Sequence, residues 1–138
     1  MRRRVFDTGI YIDWINSGLH EEVLFETGIV RHLSAVVLME LEAGAFRPRD
    51  RKLLHTLERT FRRVERLLVP SAGVYSEAGE VLRRLQSRRG YELRKSHSIV
   101  NDVLIALSAR SIGATVVTQN RGDYEAIRSI RPFGLQTV

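Results

Sequence analysis

The apolar positions alternate between two rhythms along the chain. Arg2-Arg3-Arg4-Val5-Phe6 passes from basic to apolar and stops on Asp7, the pattern of a short strand (Arg3 to Phe6) ending at a carboxylate. From Thr8 to Asn16 the spacing becomes helical, with Ile10, Trp14 and Ile15 on one stripe, and Ser17-Gly18 is a stop signal. His20 to Thr27 reads as a second short helix, carrying Val23 and Leu24. Ile29 to Val37 reads as a strand, yet Val36 to Phe46 also fits a helix, with Ser34 as the alternative strand end. Pro48 to Arg66 is a long amphipathic helix whose stripe is Leu53, Leu54, Leu57, Phe61, Val64 and, beyond it, Leu68. Leu67 to Pro70 is a brief third strand, and Ser71 to Arg89 a helix with Val74, Ala78, Val81, Leu82 and Leu85 inward. After a polar loop (Arg94 to Ser98), with Ser98 placed to cap, Ile99 to Ile112 is the most apolar helix. Ala114 to Thr118 is a buried-type strand, Gln119 to Gly122 a turn, Asp123 to Ile130 a short helix and Pro132 to Val138 a last strand. Strands that alternate with helices predict an α/β fold around a parallel sheet.

Composition narrows the class. At 138 residues, 43% hydrophobic and 28% charged, the chain is expected to form one globular domain over residues 1–138. No apolar run approaches the ~20 residues of a membrane span. The leading arginines resemble a secretory n-region, but Asp7 and Asp13 interrupt any apolar core behind them, so a cytoplasmic location is expected. The lack of Cys excludes disulfides, thiolate metal sites and Cys nucleophiles, and the scattered His20, His32, His55 and His97 contain no His-x-x-x-His pair.

Charge adds a partner class. The net charge is +6, and Lys52 and Lys95 are the only lysines, so the basic charge is almost wholly arginine. Guanidinium binds phosphate bidentately and stacks on bases, which fits a nucleic-acid partner; a solvated, salt-bridged surface fits the composition as well. The same two readings apply to the Pro48–Arg66 helix. The solvated face is preferred there, because Glu58 and Glu65 are spaced to pair with neighbouring arginines.

Four carboxylates stand where packing alone would not put them. Asp7 closes the first strand, and Glu40 interrupts Val36-Val37-Leu38-Met39-Glu40-Leu41. Asp102 lies early in the most apolar helix with the small Ala106 one turn on, and Asp123 follows the buried strand that ends at Thr118. Each has a plain alternative. Asp7 or Asp123 fits a helix cap, Glu40 a surface position, Asp102 a carboxylate satisfied by arginine, and Asn120 a turn residue. Together they share one placement, at strand ends or on helices that follow them, where an open α/β sheet binds its ligands. Bare anions about 4 Å apart repel by roughly 4 kcal/mol per pair at a surface-like dielectric, which a cation relieves. Oxygen donors without His or Cys suit Mg²⁺ or Mn²⁺, an ion that polarises a phosphoryl oxygen and activates a bound water.

The ordered set Val5-Phe6-Asp7-Thr8, Ser34-x5-Glu40-Leu41-x2-Gly44, Asn101-Asp102-x3-Ala106-x2-Ala109 and Val117-Thr118-x-Asn120-x2-Asp123-Tyr124 resembles the PIN-domain family over essentially the whole chain. It is most similar to the VapC-type toxins of toxin–antitoxin pairs. The resemblance implies a three-layer α/β/α sandwich with a central parallel sheet. It implies endoribonuclease activity dependent on Mg²⁺ or Mn²⁺, with Asp7, Glu40, Asp102 and Asp123 as catalytic metal ligands and Thr8, Thr118 and Asn120 in support. The spacing selects Glu40 over Glu42. The resemblance further implies an RNA substrate, an antitoxin that fills the acidic cleft, and a homodimer. Family members carry Asp or Asn where this chain has Asn120, which removes one charge and favours one metal over two. The alternatives are a catalytically weak or inactive module that binds RNA or protein on the same fold, and a phosphatase or receiver-type domain. The last lacks the expected Lys near a strand end.

Overall fold

The computed structural model describes residues 2–138. Five strands, β1 (Arg2–Phe6), β2 (Ile29–Ser34), β3 (Leu67–Leu68), β4 (Thr115–Thr118) and β5 (Gly134–Thr137), form one sheet in the order β3-β2-β1-β4-β5. All four pairings are parallel. The helices are α1 (Thr8–Ser17), α2 (Glu21–Leu24), α3 (Ala35–Ala43), α4 (Pro48–Arg63), α5 (Ala72–Arg89), α6 (Ser98–Ser111) and α7 (Arg121–Ile130). In contact terms α1, α3 and α4 form one group and α5, α6 and α7 another, the outer layers of an α/β/α sandwich. β1 sits at the middle of the sheet, so its Val5 and Phe6 are sealed on both faces, and the basic start Arg2–Arg3 stays exposed at the strand's other end.

This order has one reversal. The chain steps from β1 outward to β2 and β3, then returns to the other side of β1 for β4 and β5. The crevice of an open parallel sheet opens at such a switch, above the carboxyl ends of the strands on either side. Here those ends are Phe6-Asp7 and Thr118-Gln119-Asn120. The register pairs Phe6 with Val117, and the Asp7 N–H donates to the Val117 carbonyl at 2.9 Å, so Asp7 and Thr118 leave the sheet side by side.

Several boundaries differ from the sequence expectation. The overlap at Val36–Val37 resolves in favour of the helix. β2 stops at Ser34, whose hydroxyl accepts from the Val36 and Val37 N–H groups and so begins α3. The second helix is a single turn, Glu21–Leu24, instead of His20 to Thr27. α4 ends at Arg63, short of Arg66, and Glu65 adopts a left-handed backbone (φ 57°). Its apolar stripe is only partly engaged: Leu54 is buried and Leu57 and Phe61 pack on the core, but Leu53 and Val64 are exposed. Ser98 is the first residue of α6, and no side chain caps that helix. α7 starts at Arg121, two residues earlier than expected, because Asn120 is its cap. β5 is shorter than Pro132 to Val138.

Candidate active site

Asp7 is the N-cap of α1, and it does more than cap. Its Oδ1 accepts from the Thr8 N–H at 2.9 Å, and its Oδ2 accepts from the Thr118 hydroxyl at 2.7 Å. The residue is only 8% exposed. Capping fixes its direction, and the β4 hydroxyl holds it over the switch point. Thr118 also accepts from the Asn120 N–H at 2.9 Å, so its hydroxyl joins the turn after β4 to the acid after β1.

Asp102 reaches the same place from α6, a helix whose Ile99 and Asp102 to Ala109 are all buried. It is 5% exposed, and the small Ala106 one turn further on leaves room beside it. Its carboxyl is pushed up to about 8, chiefly by burial and then by the charges of Asp7, Asp123 and Glu40. Asn120 links Asp102 to Asp123, Tyr124 links it to Asp7, and Glu40 reaches Thr8 beside Asp7, so the four acids share one region. Tyr124, fully buried on α7, lies between two of them. Its hydroxyl is 3.2 Å from Asp7 Oδ1 and 3.4 Å from Asp102 Oδ1. One phenol proton serves only one of these contacts. A protonated Asp102 donating to the phenol oxygen, while the phenol donates to Asp7, satisfies both, in accord with the raised Asp102.

Glu40, the sixth residue of α3, projects from the helix that follows β2 and is half-buried. It accepts from the Thr8 hydroxyl at 2.6 Å and from Asn101 Nδ2 at 3.4 Å. Among the described residues, Glu42 makes no such contact. Asp123, in the first turn of α7, accepts from the Tyr91 hydroxyl through Oδ1 at 2.7 Å and from Asn120 Nδ2 through Oδ2 at 3.0 Å. Asn120 Nδ2 also donates to Asp102 Oδ2 at 3.3 Å, so one amide group spans two acids. Burial first, then the hydrogen bond to Asp123, pushes the Tyr91 phenol up to about 12, while the Arg89 charge pulls it back.

The structure therefore brings all seven residues singled out in the sequence to one cleft. The expectation of bare anions in close contact is not what the side chains do. Among the described residues, no three His, Cys, Asp or Glu side chains stand close enough together to cage an ion as placed. Polar hydrogens lie between the acids instead: Thr8, Thr118, Asn120, Tyr124 and Tyr91 each donate to at least one of them. The donor set nonetheless fits a hard divalent ion, since it is all oxygen and since burial, with the neighbouring acids, disfavours the charged form of Asp102, a cost that positive charge would relieve. Tyr91, Asn101 and Tyr124 are the residues of this site that the sequence did not single out. Tyr124 was adjacent to Asp123 in the motif, but a buried aromatic on an amphipathic helix reads first as core.

A family model for the PIN domain matches residues 4–128. No curated protein sequence matches the chain. Among solved structures, VapBC2 of Rickettsia felis bound to a DNA fragment from their promoter is 23% identical, with a TM-score of 0.69, covering 99% of this chain and 98% of that one. VapBC-1 of nontypeable Haemophilus influenzae is 21% identical, with a TM-score of 0.71 and coverage of 98% and 97%. VapBC-5 of Mycobacterium tuberculosis, of a family of toxin-antitoxin systems, is 18% identical, with a TM-score of 0.63 and coverage of 100% and 98%. At such identities these structures establish a shared fold.

Proposed function

The chain belongs to the PIN domain family, and from that premise we propose that it is an endoribonuclease that uses Mg²⁺ or Mn²⁺. The observation that carries the reading is the convergence of Asp7, Glu40, Asp102 and Asp123 at the carboxyl ends of β1 and β4, where hydrogen bonds through Thr8, Thr118, Asn120 and Tyr124 tie them together. Asp7, Asp102, Asp123 and Glu40 would hold the metal. When bound, a divalent ion offsets the crowded negative charge, polarises a phosphoryl oxygen and makes a water more acidic.

The chain's own groups account for the rest. Thr118 and the Thr8 N–H fix the direction of Asp7, and the Thr8 hydroxyl and Asn101 fix Glu40. Tyr124 keeps a proton between Asp7 and Asp102, which lets two buried acids coexist before the site is loaded. With a divalent ion bound, Asp102 would be held as the carboxylate, with its oxygens available as ligands. Asn120 and Tyr91 hold Asp123 from either side, leaving lone pairs free for the cleft. The arginine-rich surface supplies phosphate contacts for the strand that approaches this acidic cleft.

The test is hydrolysis of a labelled RNA by wild type with Mg²⁺, with Mn²⁺ and with EDTA. Metal-dependent internal cuts support the reading, and no cutting with either ion rejects it.

The likeness to VapBC complexes supports a further part of the proposal, that the chain is a toxin held by an antitoxin; that it works as a homodimer rests on the family resemblance alone. Co-expression with the product of an adjacent reading frame tests the first of these. The expected result is a stable complex in which RNA cleavage is suppressed. A second reading, a PIN fold that binds without cutting, draws on the engaged state of the acids and the lack of a ready-made cage. It predicts calorimetric titrations with no Mg²⁺ or Mn²⁺ binding at millimolar concentration while RNA binding persists.

A further inference from the structure

The turn between α5 and α6 lies against the acids. α5 ends on Arg88 and Arg89, and Gly90, in the left-handed region at φ 69°, reverses the chain. Tyr91 then crosses back: its ring packs on the core and its hydroxyl donates to Asp123 at 2.7 Å. The turn is thus fixed to the cleft at one point of direct contact. Residues 88–97 hold four basic side chains, Arg88, Arg89, Arg94 and Lys95, against one acid, Glu92. Lys95 neutralises Glu92 at 3.3 Å, and Arg88, Arg89 and Arg94 have no carboxylate partner among the described residues. Arg89, Gly90, Tyr91, Glu92, Lys95 and Ser96 line a depression of about 260 Å³, in which the Lys95–Glu92 pair leaves Arg89 as the unpaired charge.

An RNA strand that presents a phosphodiester to four carboxylates meets local repulsion. The cost is offset if the neighbouring phosphates rest on positive charge beside the acids. We infer that the depression at the α5–α6 turn is a subsite for a backbone phosphate of the RNA strand, on the Asp123 side of the bond that is cut. Arg89 offers a forked donor pair and Ser96 a hydroxyl, and Lys95 adds a point charge when it leaves Glu92 for the phosphate, a set that reads phosphate and carries no base preference. The inference rests on the ribonuclease reading above. The larger basic reserve on α4, six basic against two acidic side chains, is a different matter. Lys52, Arg59 and Arg63 lie on the helix face opposite the buried Leu54, and among the described residues no hydrogen bond or ion pair joins them to the acids.

The experiment is fluorescence anisotropy of a short labelled oligouridylate over a KCl series in EDTA, with the full-length protein. Arg89→Ala/Lys95→Ala is expected to weaken binding roughly tenfold. It should also flatten the log–log salt slope by about 1.4, two contacts at ~0.7 each for a single strand. Arg59→Ala/Arg63→Ala, the same loss of charge on α4, is expected to change affinity less than about twofold. Thermal unfolding confirms that both variants fold. Equal losses in the two variants, or an unchanged affinity and slope in the first, overturn the subsite. So does displacement of the RNA by polyglutamate as effectively as by unlabelled oligouridylate, which would make an acidic protein segment the occupant. Cleavage measured in parallel separates the two claims. Asp7-dependent cutting with unaltered binding by Arg89→Ala/Lys95→Ala rejects the subsite alone, and a wild type that neither binds nor cuts RNA rejects both.

Discussion

Thr118 donates to Asp7 Oδ2 over 2.7 Å, a hydrogen bond between residues 111 apart in sequence that joins the carboxyl ends of two neighbouring parallel strands. Both groups are buried. The bond exists because the sheet reverses its strand order between β1 and β4, which makes these two ends neighbours. The rest of the acid cluster is assembled around it.

Removing that hydroxyl is expected to be costly beyond its size. In Thr118→Val the shape is kept, but Asp7 loses a donor and the Asn120 N–H loses its acceptor. Urea unfolding should show a loss of about 1–3 kcal/mol, the usual range for leaving buried polar groups unpaired. RNA cleavage should fall roughly 10–100-fold, as for other groups that orient a metal ligand. A variant as stable and as active as wild type would show that the bond is incidental.

Tyr124→Phe separates the phenol's proton from its ring. The ring stays in the core beside Phe133, while Asp7 and Asp102 lose the group between them. The expected result is weaker tolerance of two adjacent acids in the metal-free protein, seen as a lower unfolding temperature in EDTA. Added Mn²⁺ should recover most of the difference, because an ion takes over the work of the proton. Loss that Mn²⁺ does not reduce would mark Tyr124 as a packing residue only.

Stability in EDTA should fall as pH rises. Asp102 has a folded value near 8 against an ordinary value of 3.8, so between those limits the folded state binds more protons than the unfolded one. The contribution of Asp102 is least unfavourable below about pH 4 and worsens up to about pH 8. Asp102→Asn removes this dependence and should be more stable than wild type at pH 8 in EDTA. Chemical denaturation of both proteins at several pH values checks it. Parallel curves for wild type and variant would contradict the burial and crowding assigned to Asp102.

The register of the sheet edge has its own test. A Cβ at Gly134 would stand 2.7 Å from Thr115 Oγ1 and 3.2 Å from its Cα, and Thr115 is β-branched and held in a strand. Gly134→Ala should cost about 1–3 kcal/mol in unfolding free energy through overpacking, and β5 should exchange its amide hydrogens faster. A neutral substitution would place β5 differently against β4.

Much of this was legible in the sequence because the signals were local. Val5-Phe6-Asp7 shows a strand that ends on an acid, and Asp102 is conspicuous because nothing else in its helix face is charged. The overlap of strand and helix at Ser34 to Val37 was also visible, but only the cap geometry of Ser34 decides it. What was not legible depends on contacts across the fold. Tyr91 is 32 residues from Asp123, and nothing in a loop tyrosine announces a carboxylate partner. Asn120 read as a turn or a lost charge, whereas its amide caps α7 and spans Asp102 and Asp123. The acids were expected to be bare. The intervening donors come from four separate elements and could not be assembled from spacing alone.

The most direct test compares RNA cleavage by wild type and Asp7→Asn in Mg²⁺ and in Mn²⁺, at matched protein concentration and with folding verified. The substitution keeps the size of the side chain and a carbonyl that can accept from Thr118, and removes the charge at the switch point. The account predicts metal-dependent cutting by wild type and a loss greater than the ~100-fold expected for a merely supporting group. Undiminished cutting by Asp7→Asn would contradict it.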